Sequence, residues 1–244
     1  MTWVQGDTTL GQVFLDINTQ WDFLDPEGSL PVRNRESLIP RLRRLMAAVR
    51  AMRVSLISCI ELHRSTDSFY GIPLCCLEGT PGQSKLPFTL LNPRVLVHAD
   101  NSFDLPYNVM SRYRQVIFYK QNDNLFSNPK ADRLLTELEP QEYVLFGIGI
   151  ERWIKSIALG LMARHKKVAL VADACGYWVE ADADLAMRQL RAKGVRLLTV
   201  DEMTQTAGPL RRHADRPTRS SSRHHPAGQV ERRRVGSRGV VNAD

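Results

Sequence analysis

The residues best suited to chemistry begin where one short stretch changes character. In residues 13–32, VFLDINTQWDFLDPEGSLPV, an apolar run breaks at the polar Asn18, Gln20 and Asp22, and the turn-forming Asp25-Pro26-Glu27-Gly28 follows. A buried parallel strand that delivers polar side chains at its carboxyl end reads this way, and open α/β sheets bind ligands at those ends. Other reactive groups follow later apolar runs: Glu61-Leu62-His63, then a lone Lys120, then Gly147-Ile148-Gly149 at the entrance to a helix. The four cysteines, Cys59, Cys75, Cys76 and Cys175, have no disulfide-scaffold or CxxC spacing, so they read as free thiols.

Alternating strands and helices must position these groups. The patterning predicts strands at 12–18, 54–60, 115–119, 143–146, 167–172 and 195–200, and helices at about 37–51, 128–138, 150–163 and 181–192. In the first helix Leu38, Leu42, Leu45, Met46 and Val49 form one apolar stripe. The long segment to about residue 94, holding GIPLCCLEGTPGQSKLP, is punctuated by Gly and Pro as an ordered functional loop would be, and 95–110 has no clear periodicity. Right-handed βαβ crossovers then lead to a three-layer α/β/α fold with a six-stranded parallel sheet.

Composition sets the limits. With 244 residues and 43% hydrophobic content, the chain can form one α/β domain, assigned to 1–205, plus an extension at 206–244. The net charge of +7 divides unevenly. Residues 208–244 hold nine arginines against Asp215, Glu231 and Asp244, or +6, which leaves +1 on the body. The extension has little apolar periodicity and is expected to be disordered. Its arginines could meet nucleic acid or an acidic partner, but a solvated arm is the plainer reading. No run approaches 18 apolar residues, and no basic segment leads into an apolar one at the N-terminus. A soluble, cytoplasmic protein without a membrane span is expected.

Several stretches agree in order and spacing with one family. N-T-Q-W-D-F-L-x-P-x-G-S-L at 18–30, G-T-P-G-Q at 79–83, Lys120 after its strand, and G-I-G-I-E-R-W-I-K-S-I-A from 147 resemble the isochorismatase-like superfamily of cysteine hydrolases, closest to its nicotinamidase-like branch. The resemblance covers about residues 12–203. It implies hydrolysis of a small-molecule substrate, a C–N bond in the nicotinamidase branch, and assembly as a homo-oligomer.

It also implies an Asp, Lys, Cys triad. The Lys corresponds to Lys120, but the Asp position holds Asn18 and the Cys position holds Trp153. A thiolate at a helix N-terminus attacks the carbonyl while the Asp shuttles a proton. An indole offers no such nucleophile, and an amide cannot accept and return a proton near neutral pH. Gln20, Asp22 and Phe23 would wall the pocket, with backbone N–H groups around Gly149 and Ile150 as an oxyanion hole. Two substitutes suggest themselves: Asp16, on the same strand side as Asn18, in place of the carboxylate, and Cys175, at a neighbouring strand end, as a thiol. Trp153 has two readings, a plug filling the vacated position with its N–H given to Asn18 or a backbone carbonyl, or a stacking wall for a flat ligand.

The nicotinamidase-like pattern of Asp-x-His followed by a loop His just before a Cys becomes Glu61, His63 and Cys75, with Cys76 at the loop cysteine. Carboxylate, imidazole and thiolate all bind zinc or another divalent metal, yet two of the three have changed type. No cofactor is required by this reading.

Overall fold

The computed structural model describes residues 11–67, 73–100, 102, 104–106, 108–120 and 123–206. The expected extension lies outside the described residues apart from Thr206. The elements are β1 (Gln12–Ile17), α1 (Trp21–Leu24), α2 (Arg35–Met52), β2 (Leu56–Glu61), β3 (Arg94–Val97), α3 (Val109–Arg112) and β4 (Gln115–Lys120). They continue through α4 (Pro129–Glu137), β5 (Glu142–Ile148), a π-helical turn (Ile150–Ile154), α5 (Lys155–Ala163), β6 (Val168–Gly176), α6 (Glu180–Ala192), β7 (Arg196–Leu198) and α7 (Val200–Thr206).

Seven parallel strands form one sheet in the order β3-β4-β2-β1-β5-β6-β7. The expected six are corrected to seven by β3, a four-residue edge strand in the stretch without periodicity. Arg94 and Leu96 are exposed and only Val97 is fully buried, so β3 lacks the apolar run that announces the central strands. The central strands do carry it, since every residue of β2 and β4 is buried. The crossovers move from β1 toward β2 on one side and from β5 toward β6 on the other. With right-handed connections this puts α2 and α5 on opposite faces. α2 packs on α7 and β6, and α5 on α6 and β6. The order reverses between β1 and β5, and that switch point is where such sheets form a crevice.

Two further differences from the sequence reading have local causes. The expected strand at 195–200 ends at Leu198 because Thr199 starts a helix through a reciprocal cap: Glu202 N–H donates to Thr199 Oγ1 at 3.2 Å, and Thr199 N–H donates to the Glu202 carboxylate at 2.6 Å. This capping box, Thr-x-x-Glu, was readable in the sequence. β6 runs past residue 172 to Gly176 through a register shift opposite Leu145–Gly147, so Cys175 lies inside the strand rather than beyond it.

Candidate active site

Four neighbouring strands deliver their carboxyl ends side by side. Lys120 is the last residue of β4 and Glu61 the last of β2, and the two are register partners. Asn18 follows β1, Gly147 is the penultimate residue of β5, and Gly149 follows that strand. Asn18 takes a left-handed conformation (φ 53°), which asparagine tolerates better than most residues, and this turns the chain sharply out of the strand. Gly147 (φ 124°) admits no side chain, because a Cβ there would stand 2.1 Å from the Ile17 carbonyl oxygen. β1 and β5 thus approach closely at the switch point.

Glu61 is the centre of the resulting polar cluster. Its Oε1 accepts from the Lys120 ammonium and from Asn18 Nδ2 (3.2 Å), and its Oε2 lies 3.1 Å from His63 Nε2. Asn18 and Lys120 are 0% exposed and Glu61 1%, so the charges meet away from water. Burial lowers Lys120 to about 8, against the opposing influence of Cys59 and Asp123, which leaves it an ammonium at neutral pH. Burial likewise lowers His63, with Asp67 pulling the other way. Beside this cluster Asn18 Oδ1 faces the Cys59 thiol at 3.8 Å.

Trp153 comes to the same place from the opposite element. Its ring is 3% exposed, and the Lys120 ammonium stands 4.8 Å from the ring centroid, within cation–π range. Phe23 (5.1 Å, tilted) and Trp178 (5.4 Å, edge-on) complete an aromatic trio around it. The expected partner of its N–H is corrected: Trp153 Nε1 donates to Asp123 at 2.7 Å, and the same carboxylate receives Arg152 Nε at 2.6 Å. Asp123 follows Lys120 by three residues on a loop, and nothing in its local sequence singled it out.

The other expected residues serve the frame. Gln20 clamps two segments, donating to the Glu61 and Gln83 carbonyls and accepting Glu61 N–H at 2.8 Å. Asp22 accepts Ser29 N–H and Cys76 N–H (2.6 Å), tying the long loop to the start of the pocket wall. Gly149 is corrected as an oxyanion donor, because its N–H goes to the Gly176 carbonyl at 3.0 Å. Its carbonyl accepts Ile154 N–H across the π-helical turn, in which Ile150 is buried. Asp16 is held in a second buried ion pair, with Lys85 Nζ at 2.7 Å and Thr19 and Ser58 hydroxyls at 3.2 and 3.3 Å. That pair, with Lys85 in the Pro-Gly loop, was not read from the sequence. Cys175 donates to the Val171 carbonyl at 3.2 Å and is a packed thiol.

The expected metal set does not fit a cation. Both Glu61 oxygens face protonated or hydrogen-bonding nitrogens, and among the described residues no group of three His, Cys, Asp or Glu is placed to hold a metal ion. The thiols separate by environment instead. Complete burial pushes Cys59 up to about 11 and raises Cys175 further, whereas the neighbouring Cys76 thiol lowers Cys75 below its ordinary value of 9.0. Because the thiolate is the reactive form, iodoacetamide at pH 8 should label Cys75 first and leave Cys59 and Cys175 unmodified until the protein unfolds. Peptide mapping by mass spectrometry reads this directly, and labelling of Cys59 at the rate of Cys75 would show the pocket to be open.

Comparison with known proteins follows the same lines. A family model described as an isochorismatase domain matches residues 12–202. An isochorismatase-like hydrolase from Alkaliphilus metalliredigens superposes with a TM-score of 0.64 at 23% identity, covering 80% of this chain and 98% of that one. A pyrazinamidase of Pyrococcus horikoshii in complex with zinc gives 0.61 at 18% identity, covering 77% and 98%. A nicotinamidase/pyrazinamidase from Bacillus subtilis gives 0.62 at 13% identity, covering 77% and 99%. No curated protein matches.

Proposed function

The chain belongs to the isochorismatase family, and we propose that it is a member whose acyl-cysteine route is closed, with turnover of small amides reduced to near background. The observation that carries this reading is Trp153: a buried indole packed against Lys120 and tied to Asp123, at the position the sequence resemblance gives to the nucleophile. Cys59, beside Asn18, does not replace it. It is 0% exposed, and its thiol is held protonated by burial. The nicotinamidase and pyrazinamidase neighbours direct the substrate panel to small aromatic amides.

The test is ammonia release from nicotinamide and pyrazinamide by the purified full chain, with mass spectrometry of the intact protein for a covalent acyl adduct. The expected outcome is no adduct and a rate indistinguishable from buffer. Enzyme rates are commonly about 1–10³ s⁻¹, and turnover in that range would refute the reading.

A second reading has one observation in its favour. A carboxylate and an amine remain in contact at Glu61 and Lys120, and such a pair could move a proton in the hydrolysis of an enol ether without a thiol. Its test is the same protein on vinyl-ether substrates. Without turnover on either panel, a non-catalytic binding or assembly subunit remains.

A further inference from the structure

Lys120 has a carboxylate partner, but the partner stands at a position that the sequence resemblance links to metal binding. Glu61 reaches it because β2 and β4 pair Glu61 directly with Lys120. The register fixes the contact, and the remaining Glu61 oxygen faces His63. Asn18 meets the same Glu61 Oε1 with an N–H, and with its carbonyl it faces the Cys59 thiol. From this juxtaposition, and resting on the assignment of Asn18, Lys120 and Trp153 under Proposed function, we infer that Glu61 is the positioning carboxylate of this pocket in place of one at position 18, and that Asn18 is the neutral donor this transfer requires.

Charge must balance in this pocket without water. One buried ammonium stabilises one carboxylate, and a second carboxylate in contact with the first lacks a counter-charge and is forced toward its neutral form. Aspartate at position 18 would put its oxygens where Asn18 now donates to Glu61. Its own N–H donor would be lost, and two carboxylates would compete for one lysine. The neighbouring charges cannot help: Asp16 and Lys85 already balance each other at 2.7 Å, and Arg152 is held by Asp123 at 2.6 Å. Restoring aspartate at position 18 therefore conflicts with Glu61.

A substitution cycle tests this. Glu61→Gln is expected to lower the Tm by about 6 °C or more, since it removes the carboxylate that the buried Lys120 ammonium contacts. Asn18→Asp should also lower it. The combination Asn18→Asp/Glu61→Gln returns one carboxylate to one lysine and should recover half or more of the Glu61→Gln loss. Smaller recovery, or a Glu61→Gln protein as stable as the wild type, overturns the inference. If a single variant fails to fold, folding of the combination supports it, and failure of the combination overturns it.

An electrostatic readout accompanies the melts. In an Asn18→Asp/Trp153→Cys background, adding Glu61→Gln removes one of two negative charges drawing on Lys120, which faces position 153, and should speed alkylation of the introduced thiol at pH 7 about tenfold or more. Equal rates would overturn the inference. Neither readout depends on turnover, so amidase activity in the wild type would refute the preceding reading while leaving these outcomes to decide this one.

Discussion

Lys120→Met is expected to lower the free energy of unfolding by about 3–5 kcal/mol, the range for removing one partner of a buried ion pair. Lys120 and Glu61 are 0% and 1% exposed, so the carboxylate left behind cannot recover its hydration. Asn18 and His63 remain in contact with it, but neither supplies a full charge at neutral pH. Glu61 must then stay ionised at high cost or take up a proton. The companion variant Lys120→Met/Glu61→Met removes both charges and puts apolar side chains in a site lined by apolar strands. It should return part of the loss, because apolar replacement of a whole buried pair is often neutral or stabilising, while Asn18 and His63 lose their acceptor at Glu61. Urea unfolding of the three proteins measures both effects. A loss below about 1 kcal/mol in Lys120→Met would place the pair in solvent, as exposed pairs contribute only that much.

The second large effect concerns Trp153. Trp153→Ala is expected to cost about 3–5 kcal/mol, the range for emptying a buried aromatic site. The ring is enclosed by Phe23 and Trp178 at 5.1 and 5.4 Å and by the Lys120 ammonium. Gly149 adds constraint, since a Cβ built there would lie 2.6 Å from the Trp153 ring. The backbone and the indole have been fitted to each other. Trp153→Phe keeps most of the apolar volume and loses the N–H bond to Asp123, which keeps Arg152 and is part-exposed, so it should cost less, about 0.5–1.5 kcal/mol, the net contribution of an ordinary hydrogen bond. Unfolding free energies again decide. Equal, small losses in both variants would mean that the ring is not a plug.

Much of this was legible in the sequence because central parallel strands are buried on both faces and read as apolar runs that end in polar residues. The runs ending at Asn18, Glu61, Lys120 and Gly147 are the ends that meet. What was illegible depended on pairing between distant segments. That Glu61 reaches Lys120 follows from the β2–β4 register, which no local pattern encodes. Lys85 reaches Asp16 because an antiparallel bridge between Gln20 and Lys85 folds the loop back over β1. Asp123 takes the Trp153 N–H from thirty residues away, where the sequence pointed only to groups nearer the strand ends. The edge strand β3 and helix α7 escaped for local reasons, one being short and half-exposed and the other starting at a capping box inside what read as a strand. The metal set shows the reverse hazard: residue types suited to zinc stand at Glu61 and His63, but Glu61 meets Lys120 and Asn18, and among the described residues no third ligand joins the two.

The central claim is that this pocket keeps the family frame while its nucleophile position is filled and its lysine is engaged by Glu61. Ammonia release from nicotinamide, compared between the wild type and the variant Asn18→Asp/Glu61→Gln/Trp153→Cys, tests it most directly. The account predicts background release by the wild type and measurable turnover by the triple variant. Enzyme-level release by the wild type would contradict it.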